Sequence, residues 1–142
     1  MTLKKIKFIK FPVNITTNGS LFVIEPPDKI PFKIRRIFFV TAKKNDIRGK
    51  HAHKKCSQFL ICLNGEVQID CTDGNKTKSF FLKQKNVGLL IPPGIWASQK
   101  YLFNNSVLAV ICDQAYDSKD YIRNYDDYKV YSNRFIIKKR NI

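Results

Sequence analysis

The sequence predicts an all-β fold, a small barrel or two-sheet sandwich, with helix confined to a C-terminal tail. Apolar and polar residues alternate with period two along most of the chain. Turn-forming pairs recur every ten residues or so and cut the alternation into about eight or nine short strands. Only the stretch from about Ser118 to Tyr131 has a pattern that a helix can use.

Each element follows in order. Lys7–Val13 alternates and ends near Pro12, and Ser20–Glu25 is apolar between Asn18-Gly19 and Pro26-Pro27. Ile34–Val40 is a strong β run. Gln58–Leu63 and Glu66–Cys71 flank Asn64-Gly65, which predicts a hairpin between them. Asp73-Gly74 makes a second turn before Lys78–Leu82. Gly88–Ile91, Trp96–Leu102 and Val107–Asp113 follow, separated by Pro92-Pro93-Gly94 and Asn104-Asn105. Asp117 or Ser118 is placed to cap the tail helix.

The 142 residues are 44% hydrophobic, enough for one core and too few for two ordinary domains, so residues 1–142 are read as a single domain. No apolar run nears the ~18 residues of a membrane span. Met1–Lys5 lacks the apolar stretch of a secretory signal, which predicts a cytoplasmic protein. Cys56, Cys62, Cys71 and Cys112 have no C-x-x-C spacing and are read as reduced, mostly buried thiols. The net charge of +15 comes mainly from 20 scattered lysines. A solvated basic surface ranks first as its explanation, an anionic small substrate second and nucleic acid last.

The only two histidines, His51 and His53, sit two apart. On a strand over Arg48–Lys54 both rings enter the same cavity, while Lys50 and Lys54 face outward. His51-x-His53, then Gln58 and Gly65, resembles the first cupin motif. Gly88 with Pro92-Pro93-Gly94-Ile95-Trp96-Ala97 resembles the second. In metal-binding cupins a Glu and a third histidine complete the ligand set. Here those positions are Gln58 and Ala97, and two imidazoles fall short of a three-ligand site. No metal and no other cofactor is therefore expected, and the imidazoles are free for proton transfer.

A narrower resemblance covers nearly the whole chain. Arg48–Lys55 (RGKHAHKK) with Gln58 is similar to the signature of the nucleotide-sugar 3,4-ketoisomerases, as are Gly88–Trp96, Tyr116–Asp126 (YDSKDYIRNYD) and the Gly19–Arg36 portion. The resemblance implies a cupin jelly-roll that moves the carbonyl of dTDP-4-keto-6-deoxyglucose from C4 to C3. The product would feed 3-amino-3,6-dideoxyhexoses of cell-surface glycans such as lipopolysaccharide. It also implies a metal-free homodimer with exchanged N-terminal strands. By resemblance, His51 carries the proton between C3 and C4 and His53 is its partner, with their order open. Arg48 stabilises enediolate or phosphate charge, or is an exposed turn arginine. Gln58 orients a histidine or a sugar hydroxyl, or is structural. Trp96 walls the sugar pocket or packs in the core. Arg123 binds substrate or, with Tyr121, ties down the tail.

The chain also departs from the family. Members carry a proton-shuttling tyrosine around Ile37-Phe38-Phe39, where this chain has no hydroxyl, so that role would pass to water or His53. Asn18 and Ala97 stand where members have arginine and histidine or arginine, both expected at the sugar. Trp96–Gln99 resembles members linked to fucose-type sugars, which leans the product toward the galacto configuration. Two other classes remain open. One is a sugar epimerase of the related cupin group, with a His–Asp arrangement and a tyrosine acid that the sequence does not display. The other is a non-catalytic module binding a nucleotide sugar or nucleic acid.

Overall fold

The computed structural model describes residues 2–140. Among them, twelve strands precede one helix: β1 (Lys7–Lys10), β2 (Val13–Thr16), β3 (Gly19–Phe22), β4 (Arg36–Ala42), β5 (Ile47–His53), β6 (Gln58–Asn64), β7 (Val67–Thr72), β8 (Thr77–Leu82), β9 (Val87–Ile91), β10 (Trp96–Tyr101), β11 (Ser106–Cys112), β12 (Tyr121–Ile122) and α1 (Tyr125–Arg140). Ten strands form two antiparallel five-stranded sheets, ordered β1-β9-β6-β11-β4 and β12-β5-β10-β7-β8. Their inner faces meet over a core that includes Leu60, Ile69, Leu89, Tyr101, Leu108 and Val110. This is the two-sheet jelly-roll that the sequence predicts. β2 and β3 pair only with each other and form a separate ribbon.

The Asn64-Gly65 turn departs from expectation. β6 and β7 do not pair: β6 lies between β9 and β11, and β7 between β10 and β8. Gly65 keeps a positive φ of 76°, and a Cβ there would lie 2.3 Å from Ser106 Oγ. The turn is thus a corner from one sheet to the other, pressed against the start of β11. The turn chemistry is local, whereas partner choice follows burial. β6 is covered on both faces, inward by the main core and outward by a second cluster of Phe59, Ile61 and Ile111 with Phe11 and Ile30. Asp73-Gly74, by contrast, closes a true hairpin with Thr72 opposite Thr77.

The tail also differs. Asp117 caps only a short 3-10 turn, Ser118–Asp120. Tyr121-Ile122 then joins the second sheet as an edge strand beside β5, with Tyr121 opposite His53. The helix starts later, where Asn124 Oδ1 accepts the N–H groups of Asp126 and Asp127. It packs on the outer face of the second sheet. There the buried Tyr128 hydroxyl reaches the carbonyl oxygens of Thr72 at 2.8 Å and Gly94 at 2.9 Å. No helix among the described residues is long and apolar enough to cross a membrane. All four cysteines are buried and free.

Candidate active site

Side-chain parity builds the site. On β5, His51 and His53 point inward while Ala52 between them points outward and packs with Ile122 and Tyr128. The imidazoles meet edge to face with centroids 5.0 Å apart. β10 obeys the same rule: Ala97 lies opposite His51 on the inner face, and Trp96 lies opposite Ala52 on the outer one. Trp96 packs against Tyr125 and Tyr128 of α1. It therefore does not wall the sugar pocket. Because Ala97 holds an inward position, its neighbour must face out.

Arg48 reaches the site through a bulge. With strict alternation it would share the outward face of Lys50. The register shifts between Ala97 and Ser98, so that Ser98 pairs with Gly49 and Gln99 with Arg48. Gly49 (φ 82°) and Lys50 (φ 53°) both adopt left-handed backbone there. The extra residue turns Arg48 to the face of Gln99, and both line one cavity of about 410 Å³ with Phe38, Val40, Gly49, His51, Gln58, Tyr121 and Arg123. Asn18 is not among those residues. It sits in the exposed turn between β2 and β3, so this chain's own cavity does not include it.

The first sheet supplies the opposite wall. Arg36, Cys112 and Gln58 lie in one row across β4, β11 and β6. Arg36 Nη2 and Gln58 Nε2 both donate to Cys112 Sγ, at 3.7 and 3.8 Å. Hydrogen bonds from the Cys56 thiol, Arg36 and Gln58 pull the Cys112 thiol below its ordinary pKa. Phe38 follows Arg36 on this inner face, so β4 brings no hydroxyl to the cavity.

His53 has a partner that the sequence did not reveal. Its Nδ1 lies 2.9 Å from Asp120 Oδ2, and both residues are buried. The same carboxylate accepts the backbone N–H groups of Lys55 at 2.6 Å and Cys56 at 3.3 Å. Burial alone would raise the Asp120 pKa, but the bonds from His53 and these N–H groups outweigh it and hold the carboxyl below its usual value. A His–Asp pair therefore exists, contrary to the sequence reading, and its absence no longer argues against an epimerase. Burial is also the main cause that lowers both imidazoles. His51 falls to about 4, helped by the nearby His53, Arg123 and Arg36, and His53 is lowered despite Asp120. His51 Nδ1, His53 Nε2 and Arg36 Nε are buried with no partner among the described residues.

The cupin metal does not fit these residues. Gln58 presents an amide that is bonded to Cys112 and Ala97 has no donor atom, which leaves two imidazoles, one short of a three-ligand site. His53, Cys56 and Asp120 bring ligand atoms within 4.8 Å of one another, but that carboxylate already accepts three N–H groups.

The sequence does not mark Arg36, Gln99, Cys112 or Asp120 for the site, and it leaves Tyr121 open between a role there and tying down the tail. Parity along β4 and β10, counted from the histidines, would have marked Arg36 and Gln99 as inward.

Comparison with known proteins agrees with this geometry. A TDP-4-oxo-6-deoxy-alpha-D-glucose-3,4-oxoisomerase of Aneurinibacillus thermoaerophilus is 37% identical over 134 residues, 94% of this chain and 96% of that protein. The crystal structure of QdtA, a sugar 3,4-ketoisomerase of Thermoanaerobacterium thermosaccharolyticum in complex with TDP, is 38% identical. It covers 94% of this chain and 98% of its own, with a TM-score of 0.89. A histidine-to-asparagine mutant of the same enzyme was crystallised with TDP-4-keto-6-deoxyglucose. A 3,4-ketoisomerase of Helicobacter canadensis is 33% identical over 91% of this chain and 98% of its own, with a TM-score of 0.87. The family model described as FdtA, WxcM-like, C-terminal, matches residues 4–133, and the chain belongs to that family.

Proposed function

We propose that this chain is a 3,4-ketoisomerase that converts TDP-4-keto-6-deoxyglucose to a TDP-3-keto-6-deoxyhexose. The observation that carries the reading is the pair of inward imidazoles, lowered in pKa by burial and opposed by a row of polar groups across a cavity of about 410 Å³. The C4 ketone acidifies the hydrogen on C3. A neutral imidazole removes it, leaving an enediol shared by C3 and C4, and returns it at C4. The shift is redox-neutral, so the chemistry calls for no nicotinamide or flavin. His51, which lines the cavity, is the carbon-proton carrier. His53, fixed by Asp120, is its partner. Arg48 and Arg123 at the cavity supply positive charge for the diphosphate or the enediolate.

The working unit is a homodimer with exchanged N-terminal ribbons. Among the described residues β4 ends the first sheet with no neighbour on its far side, and its outward Phe39 is 65% exposed. The β2–β3 ribbon carries Ile15 at 73% exposure, together with exposed Leu21 and Phe22. A ribbon laid on the partner's β4 covers both surfaces and brings Asn18 toward a site whose wall includes Phe38 and Val40.

The product has the galacto configuration at C4, in keeping with Trp96–Gln99. The enzyme is incubated with the 4-keto sugar in deuterated water and followed by NMR. Deuterium at C4 beside a C3 ketone supports the reading, and the H4–H5 coupling of product formed in ordinary water reports the configuration. Inversion at C3 or C5 with the ketone still at C4 would show an epimerase, and unchanged, unlabelled substrate would refute the reading.

A further inference from the structure

Moving a ketone from C4 to C3 relocates two protons. One travels between carbons. The other must leave O3 and arrive at O4, since the substrate carries its hydroxyl at C3 and the product at C4. An imidazole engaged at carbon leaves this second transfer to another group. Among the described residues, Tyr121 is the side chain with a hydroxyl that stacks on both imidazoles, with centroids 4.3 Å from His53 and 5.1 Å from His51. It lines the same cavity as His51. Its oxygen accepts an N–H from Arg36 Nη2 at 3.3 Å, reaching across from the opposite sheet. That bond occupies one lone pair and leaves the phenolic proton free for a substrate oxygen. The Arg123 guanidinium covers the ring at 4.2 Å and helps hold it in place.

We propose that Tyr121 is a further catalytic residue that carries the oxygen-bound proton, and that Arg36 is its positioning residue. This rests on the ketoisomerase reading above. In the first step the histidine takes the hydrogen from C3 as Tyr121 gives its proton to O4. This yields a neutral 3,4-enediol, a histidinium and a phenolate whose charge faces Arg36. In the second, the phenolate takes the proton from O3, the C3 carbonyl forms, and the histidinium returns its proton to C4. Both groups end as they began, and no oxidant or reductant is consumed.

Tyr121→Phe keeps the ring and its stacking and removes only the hydroxyl. With TDP-4-keto-6-deoxyglucose in deuterated water, its kcat falls about 100-fold or more with KM within about threefold of wild type. Because the hydroxyl acts in the step that opens C3 as well as in the second, exchange at C3 of recovered substrate falls along with product formation. Arg36→Lys lowers kcat about 10-fold alone and by less than about twofold when added to Tyr121→Phe, because it acts through that hydroxyl. Turnover of Tyr121→Phe within threefold of wild type would overturn the proposal. So would C3 exchange that continues at the wild-type rate, or additive effects of the two substitutions. If the wild-type enzyme leaves the sugar unchanged, the ketoisomerase reading falls first and takes the proposal with it.

Discussion

His53 Nδ1 and Asp120 Oδ2 lie 2.9 Å apart although 67 residues separate them in the chain. The contact depends on β12 adding to the edge of β5, which sets the residue before it beside the histidine. Asp120 keeps the proton of His53 on Nδ1 and fixes the ring. Asp120→Asn retains one acceptor oxygen but places an amide N–H against either the N–H of Lys55 or the pair of His53 and the N–H of Cys56. We expect kcat to fall about 10- to 100-fold, with a stability loss of about 1–3 kcal/mol. Steady-state kinetics at a temperature where the variant stays folded, beside a denaturant titration, separates the two effects. Unchanged kcat would remove His53 from the mechanism.

The pH profile follows from His51. A base must be unprotonated, and burial brings this imidazole from 6.5 to about 4. The kcat/KM plot therefore stays level from about pH 8 down to about pH 5 and falls only below that. An acid limb near 6.5 would mean a solvated ring. Stability moves with the same sign. Between 6.5 and about 4 the unfolded chain binds a proton that folded His51 refuses, so stability is lost as pH drops through that window. Thermal melts at stepped pH read this directly.

The strand pattern and the inward histidines were legible because both are period-two signals. What escaped were relations that alternation cannot encode. The β6–β7 corner looks like a hairpin because Asn64-Gly65 specifies a turn and says nothing of partners. Arg48 reaches the cavity only through a bulge that reverses its parity. Asp120 and Tyr121 lie in a stretch read as helix, yet the edge of β5 captured it as a strand. Trp96 was open to a better reading, since the inward Ala97 beside it already implied an outward indole. Ile34–Val40 carried a further signal. Its apolar residues occur at both parities, and Ile37 and Phe39 stand exposed while Phe38 and Val40 face inward.

Restoring the cupin ligand set tests whether Gln58 and Ala97 are what denies the site a metal. Ala97 is opposite His51 in register, and Gln58 lines the same cavity. The double variant Gln58→Glu with Ala97→His presents four donors to one point. We expect it to bind one Co²⁺ per chain, seen as visible d–d absorption, and to lose at least ~10-fold in isomerase kcat as the imidazoles become ligated. Wild-type activity should survive exhaustive chelation. Strong inhibition by chelator would show that Gln58 and Ala97 were misjudged.

Exposed Ile15 and Phe22 share one face of a two-stranded sheet, and such an isolated hairpin is marginal in water unless its apolar face is covered. Ile15→Lys with Phe22→Lys places two charges on that face, and the edge of β4 would lose its cover. We expect wild type to sediment as a dimer and the variant as a monomer. Its activity should fall by at least about 10-fold, because Asn18 no longer reaches the partner's cavity. Asn18→Ala in the intact dimer separates assembly from contact. It should raise KM several-fold without changing the sedimentation coefficient. A wild-type monomer with full activity would confine the site to one chain and leave Asn18 without a role.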